Sequence, residues 1–279
     1  MEDMLVQRVL RKSQRVLEVW ESVGRDWNQT LYRMNAYAMG APRNSRPMEQ
    51  LASRVTFSMC VRERDSIRRV EALLLGCSGV LNMEFFDDYI LALQQEFDYL
   101  ASKYQLRSMN AGAWDRSNLL PAANPVMRIA QFAALVARSQ FVLDELLRIA
   151  TLEDVERFFD VAASEYWHSR CLPDGKKYNG TGRLGRQKVY MLAINLVVPM
   201  QFAYASVTGK VGLKEQAMAF LEAIPAEQNR VVGGWTGYGV PCTSAYDSQA
   251  LLELSALCER GGCGECPLGK MIEKRRLKL

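Results

Sequence analysis

Residues 85–104 read FFDDYILALQQEFDYLASKY, and this stretch decides the fold class. Phe86, Tyr89, Ile90, Leu93, Phe97 and Leu100 recur at three- and four-residue steps, which on a helix of 3.6 residues per turn form one apolar stripe. The same period extends outward in both directions. Upstream, Val6, Val9, Leu10, Val16, Leu17, Trp20 and Val23 alternate with a second face of Arg8, Arg11, Lys12 and Arg15. A helix over 27–39 stops at Gly40 with Pro42 just beyond it. Ser45 is a candidate cap for the next helix, with Pro47 as an early helical residue. Helix then continues over 48–75, broken near Thr56 and ended by Gly76 and Gly79. Downstream, Asn124-Pro125 opens a helix through Val136, followed by 141–149 and a short acidic helix from Thr151. A polar loop, 168–183, separates these from an apolar helix starting near Leu184 and from helices over 212–224 and 247–258. No run alternates with period two between turn signals. The predicted fold is all-α: a multi-helix domain over residues 1–240, then 241–279 as a last helix with a short Cys-containing C-terminal extension and basic tail, packed on the same domain.

Composition fits this reading. The chain has 279 residues, 49% hydrophobic and 24% charged, enough to bury a real core and too apolar for a disordered chain. Its 25 Arg outnumber 10 Lys, and arginine is the cation suited to bidentate contact with carboxylate or phosphate. His168 is the single histidine, which excludes two-histidine metal sites. Seven cysteines without a visible secretory signal point to a reducing compartment, with the cytoplasm as the expectation. The apolar run 189–207 is long enough on paper to span a bilayer, but Asn195, Pro199 and Gln201 interrupt it. It reads as a buried helix, with no membrane partner.

Four motifs carry chemistry. Gly180-Thr-Gly182-Arg-Leu-Gly185 matches the dinucleotide fingerprint by letter, yet no strand precedes it and its surroundings are helical. The helix start after Gly185, with Arg183, Arg186 and Lys188, is a candidate phosphate contact. Cys258, Cys263 and Cys266 either are unliganded surface thiols or, by the spacing with which thiolates wrap a soft metal, hold one with Cys242 as the nearest candidate for a fourth ligand. Zinc is the expected ion. An iron–sulfur cluster ranks below it, because the last cysteine of the glycosylase-type tail that this pattern partly resembles falls at Ile272. Glu165 and His168, three apart, would share a face on a continuing helix as an acid/base pair or a simple hydrogen bond. The Arg62, Arg64, Arg68, Arg69 run, the Arg8, Arg11, Arg15 stripe and the tail Lys270, Lys274, Arg275, Arg276, Lys278 are solvated faces or nucleic-acid contacts.

Several ordered segments resemble a known family. They include Trp27-Asn28, residues 70–81 (VEALLLGCSGVL), 120–131 (LPAANPVMRIAQ), Ser164-Glu-Tyr-Trp167, residues 195–199 (NLVVP) and Asp247-Ser-Gln-Ala-Leu251. Together they are similar to the C-terminal helical portion of an uncharacterised bacterial family known only as a domain of unknown function. The resemblance implies that longer members carry an N-terminal restriction-endonuclease-like half whose motifs are absent from this sequence. No catalytic residue carries over. The expectation is therefore a non-catalytic helical module associated with a nuclease-like domain, in cis or in trans, contacting DNA or RNA through Arg8, Arg11, Arg15, Arg183, Arg186 and Lys188. A scaffold domain that packs on the missing half is the alternative. An enzyme centred on Glu165 and His168 is a second alternative.

Overall fold

The computed structural model describes residues 1–117, 123–177, 179–262, 264, 266 and 269–270. Among them the architecture is all-α, with two isolated β-bridges, Ala162 to Arg183 and Pro225 to Ser244. The chain divides into two compact units. The larger comprises Val16–Ile149 and Glu153–Val197, and the smaller Met1–Arg15, Ala150–Leu152 and Val198–Leu279.

The larger unit holds the end of α1 (Glu2–Ser22), then α2 (Trp27–Gly40), α3 (Ser45–Arg54), α4 (Phe57–Glu63) and α5 (Ile67–Cys77). It continues with α6 (Asp88–Tyr104), α7 (Pro125–Ala137), α8 (Leu143–Leu147), α9 (Leu152–Phe158) and α10 (Arg186–Leu192). A π turn, Ala193–Val197, follows. Its core gathers around α7, whose side chains from Pro125 to Val136 are buried with the exception of Arg128. Tyr32 packs on Phe132 at 5.1 Å between ring centroids and donates its hydroxyl to the Val55 carbonyl at 2.7 Å. That bond supplies the buried phenol with the partner it needs. Gly76 lets α5 approach α6 closely, because a Cβ there would sit 2.1 Å from Cγ of Phe97. Gly79 combines a positive φ of 79° with a similar approach to the Met109 carbonyl. Only glycine meets both conditions at low cost.

Helix starts follow capping chemistry, and three depart from the sequence reading. The 48–75 stretch contains two breaks rather than one. Thr56 caps α4 through Met59 N–H, and Ser66 starts α5. Ser45 lies inside α3, and the cap position belongs to Asn44. The Asn44 amide is instead engaged with the Asp115 backbone at 2.9 Å in both directions. Asp87 caps α6 through Tyr89 N–H, so Phe86 precedes the helix and leaves the apolar stripe. It is 87% exposed.

The smaller unit contains α11 (Val198–Thr208), α12 (Val211–Ala223), α13 (Arg230–Gly237) and α14 (Ala245–Glu259). Ser244 and Asp247 form a reciprocal capping box at the start of α14. Helix α13 has no counterpart in the sequence reading, since Gly233, Gly234 and Gly237 lower its propensity. Asn229 starts it by accepting from Val231 and Val232 N–H. Residues Arg186–Thr208 form a continuous helical run long and apolar enough to cross a membrane by length and composition, and 61% of its most apolar window is buried.

Candidate functional site

An open cleft of about 970 Å³ lies in the larger unit, between the start of α5, the side of α6 and the turn Glu165–His168. It is lined by three arginines (Arg68, Arg69 and Arg170), three serines (Ser66, Ser164 and Ser169), Tyr89 and Tyr166, with Asp65, Glu96 and Glu165 at its edges. The 11-residue helix α5 begins here with no side-chain cap, because the Ser66 hydroxyl makes no cap bond. The first N–H groups of an uncapped helix are open donors, and the helix dipole favours an anion near them.

Behind the cleft sits Glu71, fully buried in the apolar sequence of α5. Its carboxylate accepts from the Tyr89 hydroxyl, from the Ser164 hydroxyl at 3.0 Å and from the Trp167 indole N–H at 3.3 Å. Ser164 and Tyr89 are also 2.7 Å apart, hydroxyl to hydroxyl. Burial raises the Glu71 carboxyl above its ordinary value, against the pull of these donors. Burial also raises the Tyr89 phenol, and the Glu71 charge adds to the effect.

A stack links this carboxylate to the surface. Tyr89 and Tyr166 lie nearly parallel at 4.7 Å, and the Arg170 guanidinium covers Tyr166 at 4.9 Å. Cations favour the face of an aromatic ring. Arg170 also pairs with Asp87 at 3.3 Å, and Arg69 with Glu96 at 3.0 Å and Glu63 at 3.3 Å. Arg68 is exposed and has no ion pair among the described residues. The cleft therefore offers hydroxyl groups, helix N–H groups and one uncommitted guanidinium, a donor set suited to phosphate or carboxylate oxygens.

Of the six residues proposed from sequence as phosphate contacts, Arg8, Arg11 and Arg15 belong to the smaller unit and Arg183, Arg186 and Lys188 to the larger. Arg11 grips Glu253 with both terminal nitrogens, one bond measuring 2.7 Å. Arg8 donates to Gln249 at 2.9 Å and lies 3.5 Å from Glu253. The basic stripe of α1 thus faces α14 within the smaller unit, where Glu253 is only 4% exposed in its side chain. Arg15 carries interactions of its own. In the larger unit Arg183 pairs with Asp160, and Arg186 with Glu156 at 3.1 Å. Lys188 is buried and donates to the Ala38 and Ala41 carbonyls at 2.9 and 3.2 Å, at the end of α2.

Glu165 lines the cleft, whereas His168 bonds the Ala163 carbonyl at 2.9 Å and packs against Gly182. Gly182, inside the fingerprint-like stretch, has φ +66° and would carry a Cβ 2.6 Å from the His168 ring. That glycine therefore serves loop packing. Of the cysteines, Cys258 is exposed, Cys242 half-buried and Cys266 buried, while Cys263 lies outside the described residues. Among the described residues no group of three or more His, Cys, Asp or Glu could hold a metal ion. Tail residues Lys274, Arg275, Arg276 and Lys278 also lie outside the described set.

Sequence reasoning missed Glu71 and the meeting of Arg68 with Ser164. A single carboxylate inside VEALLLGC was the available signal, because an isolated acid in an apolar helix needs buried donors. The model of a family described as a protein of unknown function (DUF2851) matches residues 1–230. No curated protein and no solved structure matches the chain.

Proposed function

The chain belongs to the DUF2851 family of proteins of unknown function, and we propose that it is a non-catalytic helical module that contacts the phosphate backbone of DNA or RNA. The observation that carries this reading is Arg68, a guanidinium without an acidic partner among the described residues, beside the uncapped start of α5 and the Ser66 hydroxyl. Guanidinium, hydroxyl and helix N–H donors are the groups that hold phosphate oxygens without reading a base. Arg69, exposed and paired with Glu96 at 3.0 Å, and Arg170 extend the basic lining of the cleft. A nuclease-like domain, in cis or in trans, would supply the chemistry that this module accompanies.

Fluorescence anisotropy with labelled single- and double-stranded oligonucleotides across a salt series tests the reading. Three phosphate contacts predict a log–log salt slope of about −2 to −3, and R68A reduces its magnitude by about 0.7–0.9. Absence of binding to any oligonucleotide at low ionic strength overturns the proposal. A second reading, a protein-contact domain, draws on Phe86 and Met83, which are 87% and 63% exposed. The Phe86 and Asp87 N–H groups are pinned by the Asp174 carboxylate at 2.8 and 2.9 Å, so this apolar tip is held in place. Self-association on sedimentation that F86S abolishes, with no oligonucleotide bound, favours that second reading.

A further inference from the structure

Arg128 is the one long polar side chain at the rim of a helix that is otherwise buried from Pro125 to Val136. Its guanidinium makes one protein hydrogen bond, from Nη1 to the Gln131 side-chain oxygen at 2.9 Å. A guanidinium carries five N–H donors, so most of this one has no acceptor among the described residues. Among the described residues no carboxylate offsets its charge, and burial lowers Arg128 to about 10. Lys188, whose amine is held by the Ala38 and Ala41 carbonyls, feels this charge: burial and then Arg128 lower its proton affinity. Arg128 is thus a half-buried cation with no acid paired to it among the described residues. Such a charge is unfavourable unless something negative completes it.

The space for that group is present. Arg128 lines a small cavity of about 50 Å³ together with Gly40, Asn44, Met48, Pro125 and Arg43. A single water needs roughly 10–15 Å³ of such space, so the cavity has room for a few water positions or one compact ion. The first turn of α7 carries no acidic residue, and its dipole points positive end toward the same region. Arg43, at the rim, is half-exposed and shared with Asp115 at 3.6 Å and the Ser117 carbonyl at 2.7 Å.

We propose that this cavity is a binding site for a tetrahedral oxyanion of the phosphate class, held by the Arg128 fork with Arg43 at the rim. The planar guanidinium matches two oxygens of such an ion at once, which chloride cannot reproduce. The site lies at the α2–α7 junction, away from the α5 cleft, and does not depend on nucleic-acid binding there.

Isothermal titration of the full chain with inorganic phosphate and with adenosine monophosphate, at ionic strength fixed by chloride, tests the proposal. The expected result is saturable binding of phosphate at one ion per chain, competed by sulfate and weakened at least tenfold in R128Q. Binding of phosphate alone identifies a free oxyanion as the occupant, whereas binding of both ligands identifies a phosphate group presented by a larger molecule. Should R128Q fail to fold, R43Q provides the second variant, with an expected weakening of about threefold, and broadening of the 31P resonance of phosphate provides a measurement on the unaltered chain. No binding of either ligand, or phosphate affinity unchanged in folded R128Q, overturns the proposal.

Discussion

Replacing Glu71 separates two roles that one carboxylate plays behind the cleft. In E71A the Tyr89 and Ser164 hydroxyls keep each other at 2.7 Å, but the fully buried Trp167 loses the acceptor of its indole N–H. An orphaned buried donor costs about 1–3 kcal/mol. The emptied side-chain volume adds about 1–2 kcal/mol. Alanine should therefore destabilise the chain by about 2–5 kcal/mol. In E71Q the amide oxygen takes over as acceptor and the buried charge disappears, so the loss stays within about 1.5 kcal/mol. The two variants also differ from wild type in pH response. Because the folded Glu71 carboxyl titrates above its ordinary 4.5, its contribution is fully present below that value and is lost as pH rises through the folded value. The stability gap between wild type and E71Q should consequently narrow between pH 4 and pH 7. Urea unfolding followed by tryptophan fluorescence measures both effects. Equal losses for E71Q and E71A at every pH, or a loss below about 1 kcal/mol for E71A, would refute the reasoning.

Two further perturbations address packing and charge. G76A gains about 1 kcal/mol of helix propensity, but its methyl meets the Phe97 ring at 2.1 Å, so a net loss of about 1–3 kcal/mol is expected by thermal or urea unfolding. A rise in midpoint would contradict the close α5–α6 approach. Lys12 is lowered to about 7 from 10.5, first by burial and then by Arg8. Between those values the unfolded chain holds the proton and the folded chain does not, so stability should increase as pH climbs from about 7 toward 10. Melting curves at pH 7, 8 and 9 should show that increase in wild type and lose it in K12M.

The helical class was legible because the 3.6-residue period persists along the chain, and residues 90–100 form the stripe that their spacing predicts. Boundaries were less legible. Phe86 fits the stripe by spacing alone, and only the Asp87 cap removes it from the helix. The basic face of α1 was visible as well, but spacing cannot tell a solvated face from one turned toward acids. Glu253 and Gln249, more than 230 residues later in the chain, decide that question. The candidate cleft was legible only in fragments: the arginine run at 62–69 and the Ser164–Trp167 motif stand apart in sequence. Their meeting depends on Glu71, a contact across 93 residues to Ser164. Local propensity carries no information at that range.

The grip of α1 on Glu253 also has a consequence for the order in which the molecule can be made. On a ribosome α1 is made first of the two, and its acidic partner is added some 240 residues afterwards. Every helix of the larger unit leaves the exit tunnel during that interval, since its segments all precede Val198. Until α14 is made, the basic strip of Arg8 and Arg11 lacks the Glu253 carboxylate that it meets in the folded chain. Completion of α14 then brings Glu253 and Gln249 to that strip in one late, long-range event.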